Sequence, residues 1–416
     1  MLIGVVTLRR TRLYVLPHRC GFALIVTLCV IVGFASAAMA QTPFYRAPPS
    51  AVVGAPGTLV RQEPIDGAPL GAMAYRVLYR STGLDDKPIL VSGIVIVPQG
   101  PSPPGGRPIV AWAHPTSGIV SRCAPSLAIF IFQQIQGLRA MVERGYVVAA
   151  TDYPGLGAPG PHPYLVGVSE ARAVIDSVRV AGTLPGAGGG TRFVVWGHSQ
   201  GGQAALFTGM IARSYAPELA LLGVAAAAPA TNLATLMNDD IDSIGGRNIT
   251  AMTLWSWQRV YGAAMDKIVD MRAVPVINRL AQECIEGPFD LAVRQRTEKP
   301  LEQYFLTAKG PADLEPWHSL LAKNTPDTLL AEVPVFVAQG AQDLIVRPKV
   351  TQDYVAKLCS SRQQRKNAYL TEHRPWQGSP SQRACGGRLD DRPICWQITS
   401  RRLREINKAQ IEFPYP

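Results

Sequence analysis

The sequence predicts an α/β architecture in which helices flank a mostly parallel sheet and one helical insertion interrupts the pattern. Short apolar runs, which are typical of buried strands, alternate with segments of helical periodicity. This alternation stops at residue 231 and resumes after residue 325. The predicted strands cover 75–79, 89–97, 109–113, 147–151, 193–196, 221–228 and 333–338, and the predicted helices cover 127–144, 168–184 and 203–214.

Residues 231–325 form the predicted insertion, and their pattern is helical. Parallel sheets bind ligands at the carboxyl ends of their strands, so an insertion between two strands is well placed to cap a pocket there. A second structural lobe is the alternative. Trp255 and Trp257 are candidate substrate-binding residues, and burial in a core is the alternative for both. The rest of the core is predicted to comprise 71–230 and 326–361.

The first 40 residues indicate export. They contain four arginines and no acidic residue, an apolar stretch at 21–34, and a cleavage site at Ala38-Met39-Ala40. The apolar stretch is shorter than the roughly 20 residues of a membrane span. We therefore predict a signal peptide, a mature chain that begins with an extended arm at 41–70, no stable membrane span, and a secreted or periplasmic location. A retained anchor and a twin-arginine signal at Arg9-Arg10 are the alternatives.

The net charge of +11 is unevenly distributed along the 416 residues. The tail 362–416 holds 11 basic and 5 acidic residues, whereas 41–361 holds 26 basic and 25 acidic residues. A nucleic-acid-binding protein needs its basic residues on the folded surface, so no nucleic-acid partner is predicted. None of the seven cysteines has the spacing of zinc ligands, so no metal site is predicted either.

Residues 197–202 read Gly-His-Ser-Gln-Gly-Gly and contain a G-x-S-x-G motif. The apolar run 193–196 precedes the motif and a helix-compatible segment follows it, which is the order of a nucleophile elbow. Such a turn strains the backbone of Ser199 and exposes its hydroxyl group. Gly197 and Gly201 lack a Cβ atom, which lets the strand and the helix approach each other. Ser199 is therefore the candidate nucleophile, and a glycine-rich turn without catalysis is the alternative.

A serine hydroxyl needs an adjacent base that is itself oriented by an acid. In this architecture the acid and then the histidine follow the serine along the chain. Asp343 follows an apolar strand and a short glycine turn, and we predict it to be the acid, with turn capping as its alternative role. Asp152 also follows a strand but precedes Ser199, and it is interpreted as a loop-fixing residue. His373 is the one histidine after Asp343 and is the candidate base, with a surface histidine as the alternative.

The tetrahedral intermediate of acyl transfer carries an oxyanion, which backbone amides stabilise. The amide of Gln200 is the first predicted donor, since it follows the nucleophile at the start of a helix. The second donor should come from the loop after an earlier strand. Pro115 has no amide hydrogen, so Thr116 is the predicted donor. Ser117 as donor, or a merely structural turn, is the alternative.

Together these motifs resemble the secretory lipase family of α/β-hydrolases, which includes fungal lipases of the lipase A type. The matching segments occur in family order at 111–118, 123–126, 151–157, 197–202 and 340–343. The resemblance implies an α/β-hydrolase fold with an inserted cap, a Ser–Asp–His triad, an ester or acylglycerol substrate, and no metal or organic cofactor. It also suggests a disulfide from Cys123 into the cap, where Cys284 is the candidate partner.

The tail 362–416 departs from the family, which ends with a strand, a histidine in a glycine-flanked turn and a helix. Apolar periodicity nearly vanishes there. We hypothesise a frameshift near 362–369, because suitable codons for the residues that follow give a family-like histidine turn when read one nucleotide later. The expected function is that of an exported serine carboxylic-ester hydrolase. A catalytically impaired or ligand-binding hydrolase-fold protein, which lacks a proper catalytic histidine, is the alternative, and a peptidase or thioesterase is a third.

Overall fold

The computed structural model describes residues 43–239, 241–307, 310–329 and 333–360, together with the backbone of three short strands in the tail. The predicted signal peptide at 1–40 lies outside the described residues. So do most of the predicted tail and the side chain of His373.

One sheet of nine strands forms the centre of the fold. Its strands are β1 (Leu59–Ile65), β2 (Ala72–Thr82), β3 (Pro88–Pro98), β4 (Arg107–Ala113), β5 (Val147–Thr151), β6 (Gly189–His198), β7 (Ala220–Ala227), β8 (Val335–Gly340) and β9 (Ala368–His373). Their order across the sheet is β1-β2-β3-β5-β4-β6-β7-β8-β9. The pairs β1–β2, β2–β3 and β3–β5 are antiparallel, and every pair from β5 to β9 is parallel. The predicted α/β class is therefore confirmed. A separate antiparallel pair consists of β10 (Gly386–Leu389) and β11 (Arg392–Ile394).

Helices cover the sheet and fill the segment between β7 and β8. Their bounds are α1 (Ile131–Gln134), α2 (Leu138–Glu143), α3 (Gly167–Thr183), α4 (Gln200–Tyr215), α5 (Leu233–Asp239), α6 (Ile244–Tyr261), α7 (Val274–Ala281), α8 (Pro288–Glu298), α9 (Trp317–Lys323) and α10 (Pro348–Ser360). The largest apolar core lies between β4, β5 and β6 on one side and α3 and α4 on the other. The two helices approach closely at Gly167, where a Cβ atom would lie 2.1 Å from the ring of Phe207.

Two segments differ from the sequence-based prediction. The predicted helix at 127–144 is wrong as one continuous element, because Gly137 has a left-handed backbone (φ 79°) that separates α1 from α2. Glycine adopts this conformation without the steric cost that a Cβ atom adds. In addition, residues 59–65 of the predicted extended arm form β1, which pairs with β2 at one edge of the sheet.

A second apolar core is built largely from α5, α6, α7 and α9 of the segment between β7 and β8, and it also includes Tyr164 and Val350 from the rest of the fold. A buried ion pair joins Arg247 Nε on α6 to Glu298 on α8 at 2.7 Å. The disulfide Cys123–Cys284 links this segment to the loop that follows β4, which confirms the pairing that the family resemblance suggested. Beside it, the Ile285 amide donates to the Ser117 carbonyl at 2.8 Å. The role of this segment as a cap, and its predicted boundaries, remain predictions.

The disulfide should contribute strongly to stability, because it joins residues that are 161 positions apart. Such a crosslink restricts the unfolded chain, and we expect Cys284→Ser to lower the free energy of unfolding by about 2–4 kcal/mol. Chemical denaturation of the oxidised protein measures this change. Cys359→Ser is the control, since Cys359 is free in the structure. Equal unfolding free energies for Cys284→Ser and the unmodified protein would contradict the prediction.

Candidate active site

Ser199 lies at the junction between β6 and α4. Its backbone has φ 56° and ψ −117°, which is a strained conformation for a residue with a side chain. Neighbouring segments hold it there, because the Ser199 amide donates to the Ala227 carbonyl at 2.9 Å and the Gln203 amide donates to the Ser199 carbonyl at 3.1 Å. The side chain is partly exposed. This is the local geometry of the nucleophile elbow that the motif predicts.

Two glycines allow three backbone segments to meet at this junction. A Cβ atom at Gly197 would lie 2.0 Å from the carbonyl oxygen of Gly201. A Cβ atom at Gly201 would lie 1.9 Å from the carbonyl oxygen of Ala113 and 2.7 Å from that of His114. Only glycine fits at either position. The end of β4 therefore lies directly against the start of α4.

The predicted oxyanion donors belong to these adjoining segments. Gln200 is the first residue of α4, so its amide lies at the positive end of the helix dipole. Thr116 lies three residues beyond the end of β4, and its Oγ1 is 2.9 Å from the hydroxyl of Tyr164. The alternative residue, Ser117, uses its carbonyl to bind the insertion at Ile285.

His114 fixes the start of this loop. Its Nε2 atom is 3.1 Å from the Asp152 carbonyl and its Nδ1 atom is 2.6 Å from the Pro115 carbonyl. Burial lowers the pKa of His114 to about 4. The ring is therefore neutral at neutral pH.

The Asp152 carboxyl group holds the loops behind the site. It accepts hydrogen bonds from the Ser92 hydroxyl at 2.6 Å, from the Ser126 amide at 2.8 Å and from the Ser126 hydroxyl. The side chain is buried, and burial raises its pKa to about 6. These contacts agree with the interpretation of Asp152 as a loop-fixing residue.

Asp343 follows β8 at the same edge of the sheet. Its Oδ1 accepts from the amides of Ile345 and Val346, both at 2.9 Å, so the expected turn-capping contacts are present. Its Oδ2 accepts from Gln339 Nε2 at 3.2 Å, and a carboxylate oxygen has room for a second donor. Burial lowers the pKa of His198, and the charge of Asp343 opposes that shift. The carboxylate is thus close enough to act on the residue that precedes Ser199.

His373 is the last residue of β9, and its backbone pairs with Gly340 of β8 in parallel register. The backbones of Ser199, Asp343 and His373 therefore all lie at the carboxyl ends of parallel strands. Two strands separate β6 from β9, namely β7 and β8. The side chain of His373 lies outside the described residues.

A narrow, largely apolar cavity of about 20 Å³ adjoins Ser199. This volume holds about one water molecule. The cavity is lined by residues of the loop before α3, the elbow, and the helices and loop that follow β7 and β8: Tyr164, Leu165, Ser199, Gln200, Ala230, Leu233, Leu236, Met237, Ile249 and Val346.

The two tryptophans predicted to bind substrate do not line this cavity. Trp257 is fully buried, stacks on Trp317 and donates from Nε1 to the Tyr164 carbonyl at 2.8 Å. Trp255 packs in the same apolar core, and the Arg259 guanidinium lies 3.5 Å from its ring centroid. This packing agrees with the alternative of core aromatic residues.

A buried polar cluster behind Gln200 was not predicted from the sequence. Gln200 Nε2 donates to Glu170 Oε1 at 2.7 Å and lies 3.2 Å from His162 Nε2. Burial raises the pKa of Glu170 to about 8 and lowers that of His162 to about 3. The sequence shows Glu170 only as a charged residue of the predicted helix at 168–184, and its contact with Gln200 leaves no local pattern.

The described residues show no metal-binding cluster and no membrane-spanning helix. In that part of the chain, no group of histidine, cysteine or acidic side chains is arranged to hold a metal ion. None of the helices described there has the length and apolar character needed to cross a bilayer.

Curated relatives are lipases and esterases. The chain is 25% identical over 357 residues to lipase A of Arthroderma benhamiae, covering 77% of this chain and 72% of the relative. It is 27% identical over 208 residues to a probable inactive lipase of Mycobacterium tuberculosis, covering 46% of each. It is 27% identical over 244 residues to the trichothecene C-3 esterase of Fusarium sporotrichioides, covering 52% of this chain and 54% of the relative. Thus the chain spans only about half the length of two of these three.

Solved structures share the fold. The esterase LipA of Xanthomonas oryzae, which degrades rice cell walls, superposes with a TM-score of 0.63 at 20% identity, over 77% of this chain and 91% of LipA. Lipase A of Candida antarctica superposes with a TM-score of 0.63 at 16% identity, over 80% of this chain and 79% of the lipase. The predicted α/β-hydrolase fold is thereby confirmed. The secretory lipase family model matches residues 125–371, which is more than half of the sequence. The chain belongs to the secretory lipase family.

Proposed function

We propose that this protein is an exported serine carboxylic-ester hydrolase and that Ser199 is its nucleophile. The observation that carries the proposal is the strained backbone of Ser199, which presents a partly exposed hydroxyl between a strand end and a helix N-terminus. A structural turn has no need of this strain, whereas a nucleophile gains exposure and a nearby oxyanion donor from it. Family membership supports the same reaction class, since the relatives are named lipases and esterases.

The reaction would proceed through an acyl-enzyme. Ser199 Oγ attacks the ester carbonyl carbon while His373 accepts the hydroxyl proton, and Asp343 orients the imidazole. The amides of Gln200 and Thr116 stabilise the oxyanion. Collapse of the tetrahedral intermediate breaks the bond to the alcohol, which leaves with the proton from His373. Water then attacks the acyl-enzyme by the same steps in reverse, and it releases the acid and free Ser199.

The apolar cavity beside Ser199 is the proposed acyl site. Its lining from Leu233, Leu236 and Met237 on α5 and from Ile249 on α6 would bind the hydrocarbon part of an ester. Because α5 and α6 belong to the insertion after β7, we propose that this insertion caps the site. The cavity is small, so these helices must shift to admit a substrate chain.

A catalytically impaired protein is the second candidate. Two observations favour it. The family match ends at residue 371, two positions before His373, and one relative is itself named a probable inactive lipase. A frameshift in the tail would remove the family histidine and produce this outcome.

Ser199→Ala tests the nucleophile. We expect hydrolysis of p-nitrophenyl butyrate by the mature chain to fall at least about 10³-fold, because the oxyanion donors alone sustain little turnover. Ser214→Ala, near the other end of α4, is the matched control and should keep full activity; its hydroxyl donates to the Ile211 carbonyl. Equal turnover by Ser199→Ala and the unmodified protein would contradict the proposal.

His373→Ala tests the base. Turnover should fall about as far as in Ser199→Ala, since members of a triad act as a unit. His318→Ala is the control, because that histidine is exposed and hydrogen-bonded to the Ala312 carbonyl. Full activity of His373→Ala beside an inactive Ser199→Ala would exclude His373 as the base. Sequencing the nucleotides of the tail then decides whether another frame encodes the family histidine.

Met237→Ala tests the acyl site. Removing this buried side chain enlarges the cavity, so kcat/KM for p-nitrophenyl octanoate should rise relative to that for the butyrate ester by about 10-fold, the lower end of the range for one methylene group in an apolar pocket. Met271→Ala is the control, because Met271 is 67% exposed. An unchanged ratio for Met237→Ala would place the acyl chain elsewhere.

A further inference from the structure

Glu170 connects the nucleophile elbow to the wall of the cavity. The residue lies in the first turn of α3 and has no exposed surface. Its Oε1 accepts one hydrogen bond from Gln200 Nε2 at 2.7 Å and another from the Leu165 amide at 3.0 Å. Gln200 and Leu165 both line the cavity beside Ser199. One carboxyl group therefore holds two sides of the proposed active site.

The orientation of the Gln200 amide group is fixed by its two partners. His162 Nδ1 lies 2.8 Å from the Pro154 carbonyl, so Nδ1 carries the proton and Nε2 is left as an acceptor. Gln200 Nε2 can then donate one hydrogen to His162 Nε2 and the other to Glu170 Oε1.

Two buried oxygen atoms in this cluster lack a partner among the described residues, namely Glu170 Oε2 and Gln200 Oε1. An ionised carboxylate has only acceptors and cannot bind an amide oxygen. A neutral carboxyl group carries one O–H donor. It pairs with an amide reciprocally, since the amide N–H donates to one carboxyl oxygen and the carboxyl O–H donates to the amide oxygen. Protonation of Glu170 gives this cluster an O–H donor, whereas an ionised Glu170 leaves two unpaired acceptor oxygens in the interior.

The surroundings of Glu170 favour its neutral form. The titratable groups that face the cluster are His162, Tyr153, Tyr164 and Tyr261, and each is uncharged at neutral pH. Among the described residues, no cation is found to stabilise a charge on this carboxyl group. Burial therefore dominates and raises the pKa of Glu170 to about 8.

We propose that Glu170 is a positioning residue whose neutral carboxyl group pairs with the side chain of Gln200 and thereby fixes the backbone amide that follows the nucleophile. The inference rests on the proposed hydrolase function, because the amide matters only if an oxyanion forms beside it. Glu170 does not touch the reacting atoms. It acts through Gln200 and, on the other side, through Leu165, whose backbone has the unusual φ of 54°.

Ionisation of Glu170 should make both kcat and the stability of the fold depend on pH, and both should fall as the pH rises. As the pH rises through about 8, Glu170 loses its proton and leaves a buried negative charge beside the side chain of Gln200. We expect kcat to fall there, with little change in KM. The stability of the fold should also fall between the ordinary glutamate pKa and about 8, because the folded state holds a proton that the unfolded state has released.

Glu170→Gln and Glu170→Ala provide the test. Glutamine resembles the neutral acid, because it offers an oxygen to Gln200 Nε2 and an N–H donor at the other position, and it cannot ionise. Glu170→Gln should keep kcat at neutral pH within about 3-fold and should lose the fall in kcat near pH 8. Glu170→Ala should lower kcat at neutral pH by at least about 10-fold. Asp176→Asn is the control, because Asp176 is a second buried acid on α3 and should leave the alkaline fall of kcat in place.

Two results with Glu170→Gln would overturn the role proposed for Glu170. An alkaline fall of kcat that is unchanged in Glu170→Gln overturns the proposal, as does a folded Glu170→Gln with the activity of Glu170→Ala at neutral pH. Infrared spectroscopy of the unmodified protein measures the protonation of buried carboxyl groups directly. A carboxylic-acid band at neutral pH that disappears above pH 8 is expected, and its absence overturns the proposal. Activity that survives Ser199→Ala would instead overturn the proposed function.

Discussion

The close approach of three backbone segments at the elbow is the constraint on which the rest of the site depends. Gly201 at the start of α4 lies so near the Ala113 carbonyl that no side-chain carbon fits between them. This contact places the end of β4, three residues before Thr116, against the start of α4, where Gln200 lies. Oxyanion donors act well only when they are already in place before the reaction. The two glycines of the motif permit this contact, on which the proposed oxyanion site depends.

Buried polar groups of two kinds hold the loops around that contact. Three donors fully engage the Asp152 carboxyl group, which suits a structural role. Glu170 receives two donors on one oxygen and none from the described residues on the other. A neutral acid avoids leaving a negative charge on that unpaired oxygen. The same helix thus supports the sheet through its apolar face and the elbow through one polar side chain.

Periodicity and glycine placement predicted most of the core, because buried strands and the elbow leave strong local patterns. All seven predicted strands occur, and β5 was predicted to the residue. The prediction of one helix at 127–144 was wrong, because the apolar spacing continues across Gly137, where the backbone breaks the helix. The links from Glu170 and His162 to Gln200 cross 30 and 38 positions of sequence. Long-range contacts of this kind leave no periodic signal, so only the fold reveals them.

Labelling with an active-site-directed phosphonate tests the central claim most directly. A p-nitrophenyl alkylphosphonate transfers its phosphonyl group to an activated serine and releases p-nitrophenol, and peptide mass spectrometry then locates the adduct. The account predicts a single adduct on the peptide that contains Ser199 and no adduct on Ser199→Ala. An adduct on a different serine, or a folded protein that remains unlabelled, would contradict it.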